Sequence, residues 1–179
     1  MKKYLDKLTP FHWFIIKASA LYALWLFIYH TWGLGTGGFD DKFTLMTGRV
    51  AAWAMGLFGY EASSEAQSAW AMLQIDGQNT VAIGNPCNGL VIMALYAGFI
   101  IAYPGKIKIK TIFIVLGIGI IFLMNMLRIV ALTFNWMYAR SSFDFNHNYT
   151  FTFFVYAVVF VMWMIWANKF STLKIQSKD

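Results

Sequence analysis

One cysteine, an arginine set in apolar sequence and three histidines are the side chains of this 179-residue chain that could carry covalent chemistry. Cys87 sits in Asn85-Pro86-Cys87-Asn88-Gly89, where a polar run turns into apolar sequence at Leu90. Asn85 is a good N-cap and Pro86 suits the first helical position, which predicts Cys87 in the first turn of a helix, among N–H groups without partners. The positive end of the helix dipole there favours a thiolate, the nucleophilic form of the side chain. The competing reading of a cysteine beside an apolar helix is a small packing residue. Arg128 either snorkels to the surface or holds a developing negative charge. His147 is either an interfacial residue or a carrier of protons, and His30 is the competing base. Thiolate, imidazole and fixed cation are together the parts of acyl transfer. A single cysteine excludes an intramolecular disulfide and a CxxC couple.

The elements that must position these groups follow from composition. With 59% hydrophobic and 12% charged residues, and a mean hydropathy of +0.57, the chain is a membrane protein of one domain, 1–179. Four stretches approach the ~20 apolar residues a span needs: 13–32, 88–103, 111–136 and 150–168. The second is short and the third long. Residues 43–60 form a fifth, weaker candidate that carries Arg49. The basic N-terminal residues Lys2, Lys3 and Lys7 lead into apolar sequence like a signal peptide. The apolar run continues past Ala18-Ser19-Ala20, which predicts an uncleaved anchor, with Lys17 snorkelling toward the same side.

Lys106, Lys108 and Lys110, together with Lys169, Lys174 and Lys178, mark one side of the membrane as cytoplasmic. Asp40, Asp41, Glu61, Glu65, Asp76 and Asp144 fall on the other. This division requires that 43–60 does not cross, so it is expected as an amphipathic helix in the outer interface or re-entering it. Asp76-Gly77 between two strand-like runs signals a hairpin over 70–83 with a type I′ turn. The fold class expected is an all-α polytopic membrane protein of about four transmembrane helices, an outer interfacial helix and a small extracytoplasmic β-hairpin, with both termini cytoplasmic.

Under this topology Cys87 lies at the outer mouth of the second span and His147 closes the external loop 139–148. Arg128 lies 17 residues beyond Thr111, about 25 Å up a hydrocarbon core roughly 30 Å thick. Three residues far apart in sequence thus reach one depth. His12 falls on the opposite side from His30, which removes a facing histidine pair for haem. Gly33-Leu34-Gly35-Thr36-Gly37-Gly38 matches GxGxxG but follows a membrane helix, so it is a loop rather than a nucleotide site. Asn148-Tyr149-Thr150 matches a glycosylation sequon but abuts the bilayer and carries no weight. The net charge of +6 is not gathered into a basic, aromatic-bearing face for nucleic acid. No cofactor or metal is expected.

At these residues the chain resembles the exosortase and archaeosortase family of membrane transpeptidases. The family's Cys, small or polar residue, Gly appears as Cys87-Asn88-Gly89, its Asn-x-x-Arg as Asn125-Met126-Leu127-Arg128, and its histidine before the last core helix as His147. The resemblance spans about residues 43–170. Position 88 is Asn where Ser or Ala is usual, and Asn148-Tyr149-Thr150-Phe151 stands where a glycine often follows the histidine. The resemblance implies a cysteine transpeptidase or protease of the bacterial cytoplasmic membrane, acting on its outer face on the C-terminal sorting signal of a secreted protein. It implies Cys87, Arg128 and His147 as catalytic residues, with Asn85, Asn88, Gly89 and Asn125 supporting them or binding substrate. The acceptor nucleophile is unspecified. The alternative is a non-enzymatic adaptor or transporter subunit that holds a partner in the same outer pocket.

Overall fold

The structure, a computed structural model, describes residues 9–31, 37–67 and 70–171. Lys2, Lys3, Lys7, Lys174, Lys178, Trp32 and residues 33–36 of the glycine loop lie outside the described residues. Helix α1 (Pro10–Thr31) opens on a proline, whose fixed φ suits a first helical turn, and buries none of its residues. Helix α2 (Phe39–Gly56) follows, then strands β1 (Ala62–Gln67), β2 (Trp70–Ile75) and β3 (Gln78–Ile83). Helices α3 (Leu90–Ala102), α4 (Ile107–Tyr138) and α5 (Phe151–Ile165) complete the chain, and helical turns over Arg140–Phe170 extend α5 at both ends.

Three of these helices are long and apolar enough to cross a membrane: Pro10–Thr31, Ile107–Tyr138 and Arg140–Phe170. The expected second span is shorter than its apolar sequence. Helix α3 has 13 residues, about 20 Å at the usual rise, because the polar turn before it does not join it. Val115, Leu123, Phe153 and Phe160 are each more than half exposed, a surface suited to lipid rather than water.

Between α3, α4 and α5 a core forms from Met93, Tyr96, Ile100, Ile121, Val159, Met162 and Trp166. Tyr96 fits into the space left by Gly117, where an added Cβ would stand 2.2 Å from its ring. Its hydroxyl donates to the Phe113 carbonyl at 2.9 Å.

The sheet packs on α2. Thr44, Thr47, Gly48, Ala51, Ala52 and Met55 form the buried face of that helix, and their small size lets the strands approach closely. A Cβ at Gly48 would lie 2.6 Å from the Ala71 Cβ and 2.5 Å from Ser64 Oγ. Lys42, Met46, Arg49 and Trp53 lie on the opposite, exposed face. The helix begins and ends four residues earlier than the 43–60 expected from the sequence.

The sheet is antiparallel with order β1-β2-β3. Asp76 and Gly77 both have positive φ, 52° and 74°, the type I′ geometry that the Asp-Gly pair signals. The strands of the 70–83 hairpin fall where their patterning puts them. The added strand β1 was not expected, since Ala-Ser-Ser-Glu-Ala-Gln has little intrinsic strand preference. It forms because β2 offers a free edge and Gly48 makes room for Ser64.

The two ends of the bundle differ in chemistry. At one, Phe14 of α1 meets Tyr103, Gly105 bridges to Ser171, and Phe113 meets Phe170, beside Lys106, Lys108, Lys110 and Lys169. At the other lie the end of α1, the start of α2 and Cys87. Alanine substitution at two glycines of α4 separates packing from helix propensity. Gly117→Ala must displace Tyr96 and is expected to lower stability by about 1–3 kcal/mol. Gly119, with nothing within 4 Å of a built Cβ, should accept alanine with no loss or a gain of up to ~1 kcal/mol. Thermal unfolding of the detergent-solubilised variants checks this, and equal melting temperatures would contradict the packing.

Candidate active site

Strand β3 delivers the chain into Gly84 and a single tight helical turn, Asn85–Cys87, closed by the Cys87 N–H on the Gly84 carbonyl at 2.8 Å. This corrects the expectation that Asn85 caps a helix containing Cys87 in its first turn. Gly89 has φ 86°, a left-handed conformation that costs other residues about 1–2 kcal/mol, and it breaks the cysteine turn from α3. Gly89 is the N-cap of α3, and Asn88 before it accepts the Leu90 N–H through Oδ1 at 2.8 Å. The thiol is therefore not on the dipole of α3.

The side chain of Asn85 is engaged elsewhere. Its Nδ2 donates to Asp41 Oδ1 at 2.6 Å, and its Oδ1 accepts from Thr44 Oγ1 at 2.6 Å. Asn88, fully buried, donates through Nδ2 to Asp40 Oδ1 and, at 2.8 Å, to Thr44 Oγ1. Asp40 is only 1% exposed and accepts a further hydrogen bond from the Tyr29 hydroxyl of α1. Asp41 accepts from the Gly37 N–H at 2.5 Å. From the other side Asn125 of α4 donates to the Cys87 carbonyl at 2.9 Å and packs against Gly89.

Cys87 Sγ lies 3.6 Å from His147 Nε2, a sulfur hydrogen-bond distance at which one of the pair can take the proton of the other. His147 is not in a loop, as the sequence suggested. Residues Asn146–Thr150 form a widened helical turn that continues into α5. The corner before it is helical because its polar groups find partners: Asn135 Nδ2 donates to Ser142 Oγ at 2.8 Å, and Thr150 Oγ1 to Asn146 Oδ1 at 2.9 Å. The imidazole stacks on Phe143 with centroids 5.8 Å apart and an interplanar angle of 6°. Phe143 meets Trp136 edge-on, and the Arg140 guanidinium covers Trp136 at 3.8 Å. A column of rings thus sets the direction of the histidine.

Trp70, Ala82, Gly84, Asn85, Pro86, Cys87 and His147 line a cavity of about 390 Å³. Arg128 is not among them. It lies one helical turn beyond Asn125 on α4 and lines an apolar crevice of about 360 Å³ with Leu127, Phe134, Phe151 and Val155. Its Nε is buried with no hydrogen-bond partner among the described residues, an arrangement that favours an acceptor arriving from outside. The structure therefore brings Cys87 and His147 into contact and holds Arg128 nearby in sequence register but in a separate recess. His30 is exposed, edge-on to Tyr29, and His12 pairs with Thr9 at the other end of α1. Among the described residues no group of three or more His, Cys, Asp or Glu could hold a metal ion.

Sequence reasoning passed over Tyr29, Thr44, Trp70 and Phe143, and treated Asp40 and Asp41 only as markers of sidedness. The two acids stand in the first turn of an amphipathic helix, where carboxylates are favoured. Phe143 stands four residues before His147, a helical spacing hidden by the polar sequence around it.

Residues 11–167 match the family model described as Transmembrane exosortase (Exosortase_EpsH), and the chain belongs to that family. No curated protein and no solved structure matches it.

The Asn125 contact yields a direct test. Asn125→Leu keeps the bulk but leaves the Cys87 carbonyl unpaired, which is expected to cost about 1–3 kcal/mol. Melting in detergent should fall accordingly and the alkylation rate of Cys87 should change. A variant that matches the unaltered chain in both would show that the contact does not hold the turn.

Proposed function

With membership of the transmembrane exosortase family as premise, we propose that the chain is a cysteine transpeptidase or peptidase that cleaves C-terminal sorting signals at the membrane through Cys87. The observation that carries this reading is the 3.6 Å approach of Cys87 Sγ to His147 Nε2 across 60 residues of sequence. In the proposed reaction His147 takes the thiol proton and the sulfur attacks the scissile carbonyl carbon, forming a tetrahedral oxyanion. Arg128, whose Nε has no partner among the described residues, supplies a cation to that oxyanion once substrate is bound. The C–N bond breaks, His147 returns the proton to the leaving amine, and a thioester joins the signal-bearing protein to Cys87. An acceptor nucleophile, or water, then gives up its proton to His147 and displaces the thiolate.

We place α3 as a crossing in addition to the three long helices, second in chain order and completed at its outer end by the cysteine turn, with α2 in the outer interface and both termini cytoplasmic. The exposed face Lys42, Met46, Arg49 and Trp53 suits headgroups and acyl chains together, and the lysines clustered at the far end of the bundle follow the positive-inside pattern. Membrane-impermeant maleimide should label Cys87 in spheroplasts. In a Cys87→Ser background, Lys108→Cys should react only after permeabilisation. Labelling of position 108 from outside would invert the arrangement.

The reaction itself is tested by substitutions that keep shape and remove chemistry. Cys87→Ser should abolish processing of a signal-bearing substrate while the protein stays inserted, because serine lacks thiolate reactivity. Arg128→Lys keeps the charge but loses the planar fork, and a loss of about 10²-fold in rate is expected. His147→Ala should slow processing sharply and His30→Ala should not. A thioester adduct trapped on Cys87 and identified by mass spectrometry would name the substrate, whereas normal processing by Cys87→Ser would leave only the adaptor reading.

A further inference from the structure

We propose that Asp40 and Asp41 of α2 are positioning residues for the nucleophile: together they clamp both asparagines that flank Cys87 and so fix the sulfur against His147. The proposal rests on Cys87 being the nucleophile.

Two adjacent carboxylates, 1% and 9% exposed, are an expensive feature for an apolar protein to bury. Burying a carboxylate is tolerated only where donors replace its water. Among the described residues the donors that do so are neutral. Asp40 receives the Tyr29 hydroxyl and Asn88 Nδ2; Asp41 receives Asn85 Nδ2 and the Gly37 N–H. The N-terminus of α2 adds its positive dipole end.

The geometry assigns one acid to each side of the cysteine. Asp41 holds Asn85, two residues before it, and Asp40 holds Asn88, the residue after it. Thr44, one turn along the same helix face, bonds to both asparagines and ties the two halves together. Asn88 Oδ1 also accepts the Leu90 N–H at the start of α3, so its amide orientation is determined on both sides. A carboxylate is acceptor-only when ionised, whereas an asparagine can present either end. Acid opposite amide therefore fixes which way each asparagine points. Amide opposite amide would not. Because Asp40 also takes the Tyr29 hydroxyl, the clamp ties α1, which buries none of its residues, to the cysteine turn.

The clamp predicts that exchanging partners preserves it. Asn88→Asp alone sets a second carboxylate against Asp40, and the displaced turn should process substrate roughly 10²-fold more slowly, the scale on which a small misplacement of reacting groups acts. Adding Asp40→Asn to Asn88→Asp restores an amide–carboxylate pair of the same size. The carboxylate introduced at position 88 still accepts the Leu90 N–H, and the amide introduced at position 40 still accepts from Tyr29. The exchange gives up the Asn88 Nδ2 bond to Thr44 Oγ1, so recovery is expected to be partial. Asn85→Asp and its partner Asp41→Asn form a second pair, linked to the first through Thr44, with the same expected pattern.

Each variant is compared at equal membrane-inserted amount, by two readouts. One is the processing rate of a signal-bearing substrate. The other is the alkylation rate of Cys87 by iodoacetamide, which reports the thiol's setting whether or not the protein is a transpeptidase. Loss of processing in Asn88→Asp with recovery in Asp40→Asn/Asn88→Asp, and an alkylation rate that departs and returns in parallel, is the expected result. An inserted Asn88→Asp protein with unchanged alkylation overturns the clamp. So does a double variant no better than the single. If alkylation follows the expected pattern while processing is also intact in Cys87→Ser, the clamp stands and the catalytic reading fails.

Discussion

A polar turn set at the end of an apolar bundle has to satisfy the backbone and side-chain groups that it buries. The segment from Gly84 to Gly89 meets that requirement from three directions at once. Asp40, Asp41 and Thr44 bind its asparagines from α2, Asn125 binds the Cys87 carbonyl from α4, and Asn88 closes the start of α3 on itself. Partly satisfied networks in a low-dielectric setting are unstable, so the arrangement of α2, α3 and α4 around the turn is constrained jointly rather than helix by helix. The small residues of α2 follow from the same demand. With Gly48 and its alanine and threonine neighbours facing the strands, the sheet can sit close enough for β3 to run directly into the turn.

The division of labour between the two ends of the bundle has a simple physical basis. Midway along α3, α4 and α5 the contacts are aromatic and aliphatic, with Tyr96 seated against Gly117 and Trp163 stacked on Phe99 at 4.5 Å. Such packing is indifferent to a polar reaction but gives α4 a fixed register. That register places Asn125 under Cys87 and carries Arg128 one turn further, into the crevice beside α5. The candidate cation and the candidate nucleophile are thus held by one rigid helix, although they open into different recesses.

Much of this was legible in the sequence, for identifiable reasons. Long apolar runs mark helices whatever their neighbours, so α1, α4 and α5 fall close to their expected spans. Asp76-Gly77 specifies its turn through backbone conformations that few other pairs adopt, and the hairpin strands lie where the pattern put them. What could not be read was set by tertiary partners. Strand β1 has almost no propensity of its own and exists because β2 has an edge. The cysteine turn separates from α3 at the left-handed Gly89, and the capping preference of Asn85 is met instead by Asp41 and Thr44. Residues 140–150, polar enough to suggest a loop, wind into helix because Asn135 and Asn146 both donate to Ser142 Oγ.

The candidate site shows the same asymmetry more sharply. Residue types and order pointed to Cys87, Arg128 and His147, and the first and last do meet. Their meeting depends on features that periodicity does not reveal. His147 sits in a widened turn at Asn146–Thr150 that runs into α5, and its imidazole stacks on Phe143 in a column completed by Trp136 and Arg140. A histidine on a regular helix could have faced any direction. This one is stacked on Phe143 on one side and lies 3.6 Å from the Cys87 sulfur on the other. That arrangement, rather than the mere presence of a cysteine and a histidine at one depth, is what supports the proposed catalytic pairing.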